Sequence, residues 1–174
     1  MKTPADPRSA EATRLVSGMH VEVSHRFDAP VEEVWRMLSD VEEMAGLGPE
    51  HVEATWTSEG RGVGATFIGR NRRDDFDWEV PCFVVECDPP RHFAWTVLEP
   101  ENASSRWSYT LSPDGGGTIV VQRFEHGPNY SFIRLWAEER PAEAAKIVES
   151  RAETLASDMR STLAHAARII AANR

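Results

Sequence analysis

Residues 141–173 read PAEAAKIVESRAETLASDMRSTLAHAARIIAAN, and the fold turns on how that stretch is understood. Val148, Ala152, Leu155, Met159, Leu163, Ala166 and Ile170 recur at steps of three and four, the spacing that lines side chains along one stripe of an α-helix. Glu149, Arg151, Glu153, Asp158, Arg160 and Arg168 fall mostly off that stripe, where they can stay in water. The pattern predicts a single helix from Pro141 to Asn173, a rod of roughly 45 Å. Such a rod needs a trough to lie in, and most of residues 51–126 reads as consecutive strands. Sheet and helix are therefore expected to enclose an apolar pocket.

Bulk properties bound the rest. A chain of 174 residues, 41% hydrophobic and 27% charged, suits one domain with a sizeable core. A formal charge of −9 argues against non-specific grip on nucleic acid or an anionic membrane. The basic run Arg70, Arg72, Arg73 is an exception, read either as a solvated strand end or as a phosphate or carboxylate contact. No apolar run approaches the roughly 20 residues of a membrane span, and the N-terminus lacks the apolar core of a secretory signal. The expectation is a cytoplasmic monomer or homodimer with no integral membrane association. Cys82 and Cys87, five apart on one strand, should point to opposite faces and remain reduced thiols. The six histidines are scattered without metal-ligand spacing, so neither metal nor cofactor is expected.

Ahead of the rod the chain alternates. Residues 1–17, with Pro4, Pro7 and scattered charge, show no clear period and predict a mobile, disordered tail; residues 18–174 then make a single domain. Val21, Val23, His25 and Phe27 alternate with Glu22, Ser24 and Arg26 as a half-buried strand. Asp28 is placed to cap the next helix, with Pro30 in its first turn and Val31, Val34, Trp35 and Leu38 inward. Asp40 caps a second short helix, ended by Gly46 and Gly48. A meander follows, and its hairpin links imply an antiparallel sheet. Gly60, Gly62 and Gly64 lead from strand to strand, which excludes a dinucleotide-binding loop. Pro81 in mid-strand predicts an edge or a bulge, because proline has no N–H for the ladder. Gly127–Arg140 is a connector with a helical turn through Ile133, Leu135 and Trp136.

Strand, two short helices, long meander and terminal helix make the helix-grip order. Phe27-Asp28-Ala29-Pro30 with Val34-Trp35 and Ser39-Asp40, then Gly69-Arg70-Asn71-Arg72-Arg73, then Arg106-Trp107-Ser108-Tyr109-Thr110-Leu111 and Gly115-Gly116-Gly117-Thr118, carry a family likeness. Over roughly residues 20 to 170 the chain resembles the SRPBCC superfamily, the START-like and polyketide cyclase/dehydrase-like proteins; the later motifs resemble a bacterial subgroup of it. The resemblance implies an α+β helix-grip (START-like) fold, with a curved antiparallel sheet of about six to seven strands closed by the long helix over a deep apolar cavity. It implies no single function, since members bind lipids, sterols or other hydrophobic ligands, cyclise polyketides, or act as cochaperones. The shared motifs look architectural, so no catalytic residue is carried over. The segment Tyr130 to Arg140 is longer than a bare family connector needs.

Phe67, Asn71, Trp78, Cys82, Trp95, Trp107, Tyr109, Gln122 and Phe124 stand in phase with the interior and face Leu155 and Met159. Apolar walls with a few convergent polar groups describe a small-ligand site; the alternative is that these side chains simply fill the core. A cavity is favoured because a curved sheet and a straight helix part at one end. A buried amide without partners costs about 1–3 kcal/mol, so Asn71 or Gln122 is expected to bond a ligand carbonyl or hydroxyl. The alternative satisfies Asn71 on local backbone and Gln122 on Tyr109 or water. An enzyme reading needs an acid or base near a carbonyl; Tyr109, Glu86 and His25 are the candidates, with Glu86 otherwise a wet strand end. No Gly-x-Ser-x-Gly elbow is present. The expected function is binding or transport of a hydrophobic small molecule or lipid. The alternatives are a polyketide cyclase/aromatase using the same cavity and a protein-interaction module.

Overall fold

The computed structural model describes residues 7–174. Where the sequence pattern predicts a mobile tail, Pro7–Ser17 forms helix α1, and the rest of that expectation, Pro4 included, lies outside the described residues. Ala12 and Val16 of α1 are fully buried against Ala137 and Ala144. An apolar face this narrow leaves little periodicity to read, and the helix is held by docking rather than by its own propensity.

Strand β1 (His20–Phe27) leads to helices α2 (Val31–Leu38) and α3 (Val41–Met44). Asp28 does not cap α2: Pro30 holds the N-cap position, and the Asp28 carboxylate accepts from Arg26 instead. Asp40 does cap α3, accepting from the Glu42 N–H at 3.0 Å. Strands β2 (His51–Trp56), β3 (Thr66–Arg73), β4 (Phe76–Asp88), β5 (His92–Val97), β6 (Ser105–Asp114) and β7 (Gly117–His126) complete one seven-stranded antiparallel sheet. Its order is β1-β7-β6-β5-β4-β3-β2, so the first strand returns beside the last and β2 is the far edge. Helix α4 (Phe132–Glu139), capped by Ser131, occupies the connector. A 3₁₀ turn at Pro141–Glu143 then opens α5 (Ala144–Ala172), the long helix expected from its apolar stripe.

β4 departs from simple alternation. Its pairing with β5 slips between Val84 and Glu86, and one extra residue reverses the phase beyond it. Cys82 and Val84 are buried before the slip; after it Cys87, opposite Phe93, packs on the core. The two cysteines, expected on opposite faces, thus share the inner one, and both are free thiols. Glu86 turns outward to pair with Arg106 and with His92 at 3.0 Å, so it is a surface group rather than an interior acid. Pro81 lies just past the β5 pairing, which begins at Cys82 and Val97, so its missing N–H costs no ladder bond there.

On α5, Leu155, Met159, Leu163, Ala166 and Ile170 are buried, whereas Val148 and Ala152 are half-buried. From Leu163 onward helix and sheet are packed solid. Before it they part.

Candidate functional site

The space where they part is a cavity of about 870 Å³ between the inner face of the sheet and the middle of α5. Phe67, Asn71, Trp78, Cys82, Trp95, Trp107, Tyr109, Gln122, Phe124, Leu155 and Met159 all line it. Period-two alternation on each strand and the helical stripe on α5 bring them to one place.

The inner end is aromatic. Trp95 and Trp107 lie parallel across the β5–β6 ladder with ring centres 6.3 Å apart. Tyr109 is 5.5 Å from Trp95, and Phe124 is 4.8 Å from Trp107. Tyr109 and Gln122 face each other directly across β6 and β7 and are each 4% exposed. Burial pushes the Tyr109 hydroxyl pKa up, so it is a neutral hydrogen-bonding group and not a base. The Gln122 Oε1 is buried and has no hydrogen-bond partner among the described residues. Burial also pushes the Cys82 thiol up to about 12, which removes it as a nucleophile.

A polar corner occupies the β2–β3 side. Glu50 accepts a bidentate pair of hydrogen bonds from Arg151 on α5, at 2.8 and 3.0 Å, and a further one from Arg73 at the end of β3. Burial acts to raise the Glu50 pKa, but the hydrogen bonds and charge of Arg151, then those of Arg73, outweigh it and hold the carboxyl below its ordinary value. Asp158, 3.8 Å from Arg73, is raised by burial and by the charge of Glu50. His51, opposite Asn71, has its pKa lowered by burial and enters the cavity wall as a neutral imidazole. This corner ties α5 to the sheet beside the opening.

The mouth is built by the β3–β4 hairpin and α4. Phe76 and Trp78 stack with ring centres 5.5 Å apart, and Phe132 meets both edge-on. Trp136 lies 6.2 Å from Phe132 on the next turn of α4. Phe76, Tyr130, Phe132 and Trp136 all remain exposed. Beneath them the His126 Nδ1–H is placed to donate to the Gly127 carbonyl at 2.7 Å, which leaves Nε2 to accept from the Ser131 hydroxyl at 2.7 Å.

Of the acid–base candidates, only Tyr109 lies in the cavity. His25 is on the inner face of β1 but packs edge-on against Phe27, 5.4 Å between ring centres, away from the lining. Glu86 is outside, as described above. His51 escapes the sequence reading because the β2–β3 pairing shifts between His51 and Glu53, so alternation from Val52, Ala54 and Trp56 assigns it the wrong face. Glu50 and Phe132 carry no sequence signal, and Trp136 is legible only as part of a helical turn in the connector, since their roles depend on which distant segments meet them. Among the described residues, no three His, Cys, Asp or Glu side chains converge as a metal site requires, and no helix is long and apolar enough to cross a membrane.

Comparison with known proteins agrees with this architecture. The polyketide cyclase-like protein Cgl2372 from Corynebacterium glutamicum superposes with a TM-score of 0.65 at 26% identity, covering 88% of this chain and 92% of its own. The Zhui aromatase/cyclase from Streptomyces sp. R1128 gives 0.63 at 22% identity, covering 86% and 93%. BexL, a di-domain aromatase/cyclase of the BE-7585A biosynthetic pathway, gives 0.68 at 17% identity; the match covers 88% of this chain and 50% of BexL. A search of curated proteins found no match. The family described as polyketide cyclase / dehydrase and lipid transport matches residues 19–164. The chain belongs to that family.

Proposed function

We propose that the protein binds a hydrophobic small molecule or lipid in the cavity between sheet and α5. The observation that carries this reading is the cavity itself: about 870 Å³, with walls dominated by tryptophan, phenylalanine, leucine and methionine. That volume lies within the roughly 300–1,000 Å³ of small-molecule sites. Unfilled apolar space forfeits dispersion contacts on every wall, and an apolar occupant restores them. The family description, which names both cyclisation and lipid transport, supports an occupant of this kind. Native mass spectrometry of the intact, gently purified chain should show a retained organic molecule that leaves on denaturation. Protein that stays at the bare chain mass after incubation with lipid and aromatic extracts would overturn the reading.

Cyclisation in the same cavity is the second reading. It is favoured by His51, a neutral imidazole in the wall opposite Asn71 and suited to act as a base. Turnover of a poly-β-keto thioester probe that vanishes in His51→Phe, with retention of the probe unchanged, would place chemistry here. Absence of turnover in the intact chain would leave binding alone.

A further inference from the structure

We propose that the inner end of the cavity recognises a hydroxyl group on an otherwise apolar, ring-bearing ligand, through Gln122 and Tyr109. The inference rests on the cavity-binding reading and adds to it the chemistry of the occupant. Gln122 is 4% exposed, lines the cavity, and its Oε1 has no hydrogen-bond partner among the described residues. Native proteins seldom leave a buried oxygen unpaired, because it has given up water for nothing. Tyr109, paired with Gln122 in the ladder, lines the same cavity, so the two side chains project from neighbouring positions on one face. Two neutral polar side chains therefore stand side by side in an aromatic wall.

Their chemistry selects the partner. A carboxamide oxygen only accepts, so the missing partner is a donor; a ketone or ether leaves it unpaired. The terminal torsion of glutamine is broad, which lets the oxygen turn to the cavity. A phenolic or alcoholic O–H donates to Oε1 and can accept from the Tyr109 hydroxyl in the same contact. A carboxylate does not fit this end, because the cavity arginines, Arg73 and Arg151, are engaged with Glu50 at the polar corner. Trp95, Trp107 and Phe124 surround the pair and offer ring faces and edges to a flat ligand.

The probes are 2-naphthol and 2-methoxynaphthalene, alike in ring and oxygen but different in carrying a donor. Their dissociation constants are measured by titration calorimetry on the full-length chain, on Gln122→Met and on Tyr109→Phe. Gln122→Met should weaken 2-naphthol about tenfold, equivalent to about 1.4 kcal/mol, and shift 2-methoxynaphthalene by less than about threefold. Tyr109→Phe should move the two probes in the same sense by less. Without ligand, Gln122→Met should melt at an equal or higher temperature, since an orphaned oxygen has been removed; that result also verifies folding. Equal effects of Gln122→Met on both probes would overturn the hydroxyl inference and leave the cavity reading intact. Failure of both probes to bind the unaltered chain would count against the cavity reading itself.

Discussion

Gly69 shapes the cavity by what it lacks. It sits on the inner face of β3 opposite Val80 and Ala54, and its backbone is not left-handed, so conformation does not demand glycine. A Cβ there would meet His51 Nε2 at 3.4 Å and Cys82 Sγ at 3.8 Å, ordinary contacts that leave a longer side chain free to extend into the void. Gly69→Leu should fold with unchanged or slightly raised melting temperature, because glycine weakens a strand interior. It should also lose the retained molecule by native mass spectrometry. A variant that still carries its ligand would show that the occupant does not reach the wall at Gly69. At this scale alternation assigns Phe67, Trp95, Trp107, Tyr109, Gln122 and Phe124 to the inner face correctly. It fails at Glu86 and His51, each next to an inserted residue that pairing between distant strands, not local sequence, introduces.

Helix α1 packs against α4, which forms one side of the mouth. Arg134 of α4 is buried, donating to the Asn129 carbonyl at 3.1 Å and to Ser17 Oγ and the Gly127 carbonyl at 3.0 Å each. These bonds join the end of α1 to the loop that enters α4, and Val16 fills the contact beside them. Val16→Ala should cost about 1–2 kcal/mol, the order expected for deleting buried methyl groups. Amide exchange in α4 should quicken selectively while β5 and β6 stay protected. Unchanged exchange in α4 would mean that α1 rests on the surface without bracing it. The small helices after β1 and the long α5 are legible from their apolar stripes and from Asp40. The α1 helix is not, because its inward face reduces to Ala12 and Val16, and the buried Arg134 finds its partner, Ser17, 117 residues away.

Across the whole molecule the buried histidines set the response to acid. His51 and His126 both have pKa values pushed below the ordinary value by burial, so the folded chain holds them neutral where the unfolded chain protonates near about 6.5. The unfolded state then binds more protons, and stability should fall as pH drops below about 6.5. Glu50, with its pKa lowered, loses its contribution only in stronger acid, below the ordinary carboxylate range; Asp158, raised, acts in the opposite sense to the histidines. Urea midpoints should decline from pH 7.5 to 5.5, and His126→Gln, whose amide can still bond Gly127 and Ser131, should flatten that decline. A midpoint indifferent to pH across this range would remove the histidines from the account.

The amino-acid sequence by itself determined the order of elements, the face each strand turns inward and the long terminal helix, because these depend on periods of two and 3.6 that neighbouring residues set. It also placed the aromatic residues that line the cavity on the correct sides of their strands. Only the tertiary structure decided that the cavity stays open, that Glu86 leaves it and His51 enters, and that α4 stands at its mouth with α1 packed against it. Those outcomes depend on strand register, on bulges and on where a straight helix parts from a curved sheet. Each is a contact between residues far apart in the chain, and local periodicity carries no record of it.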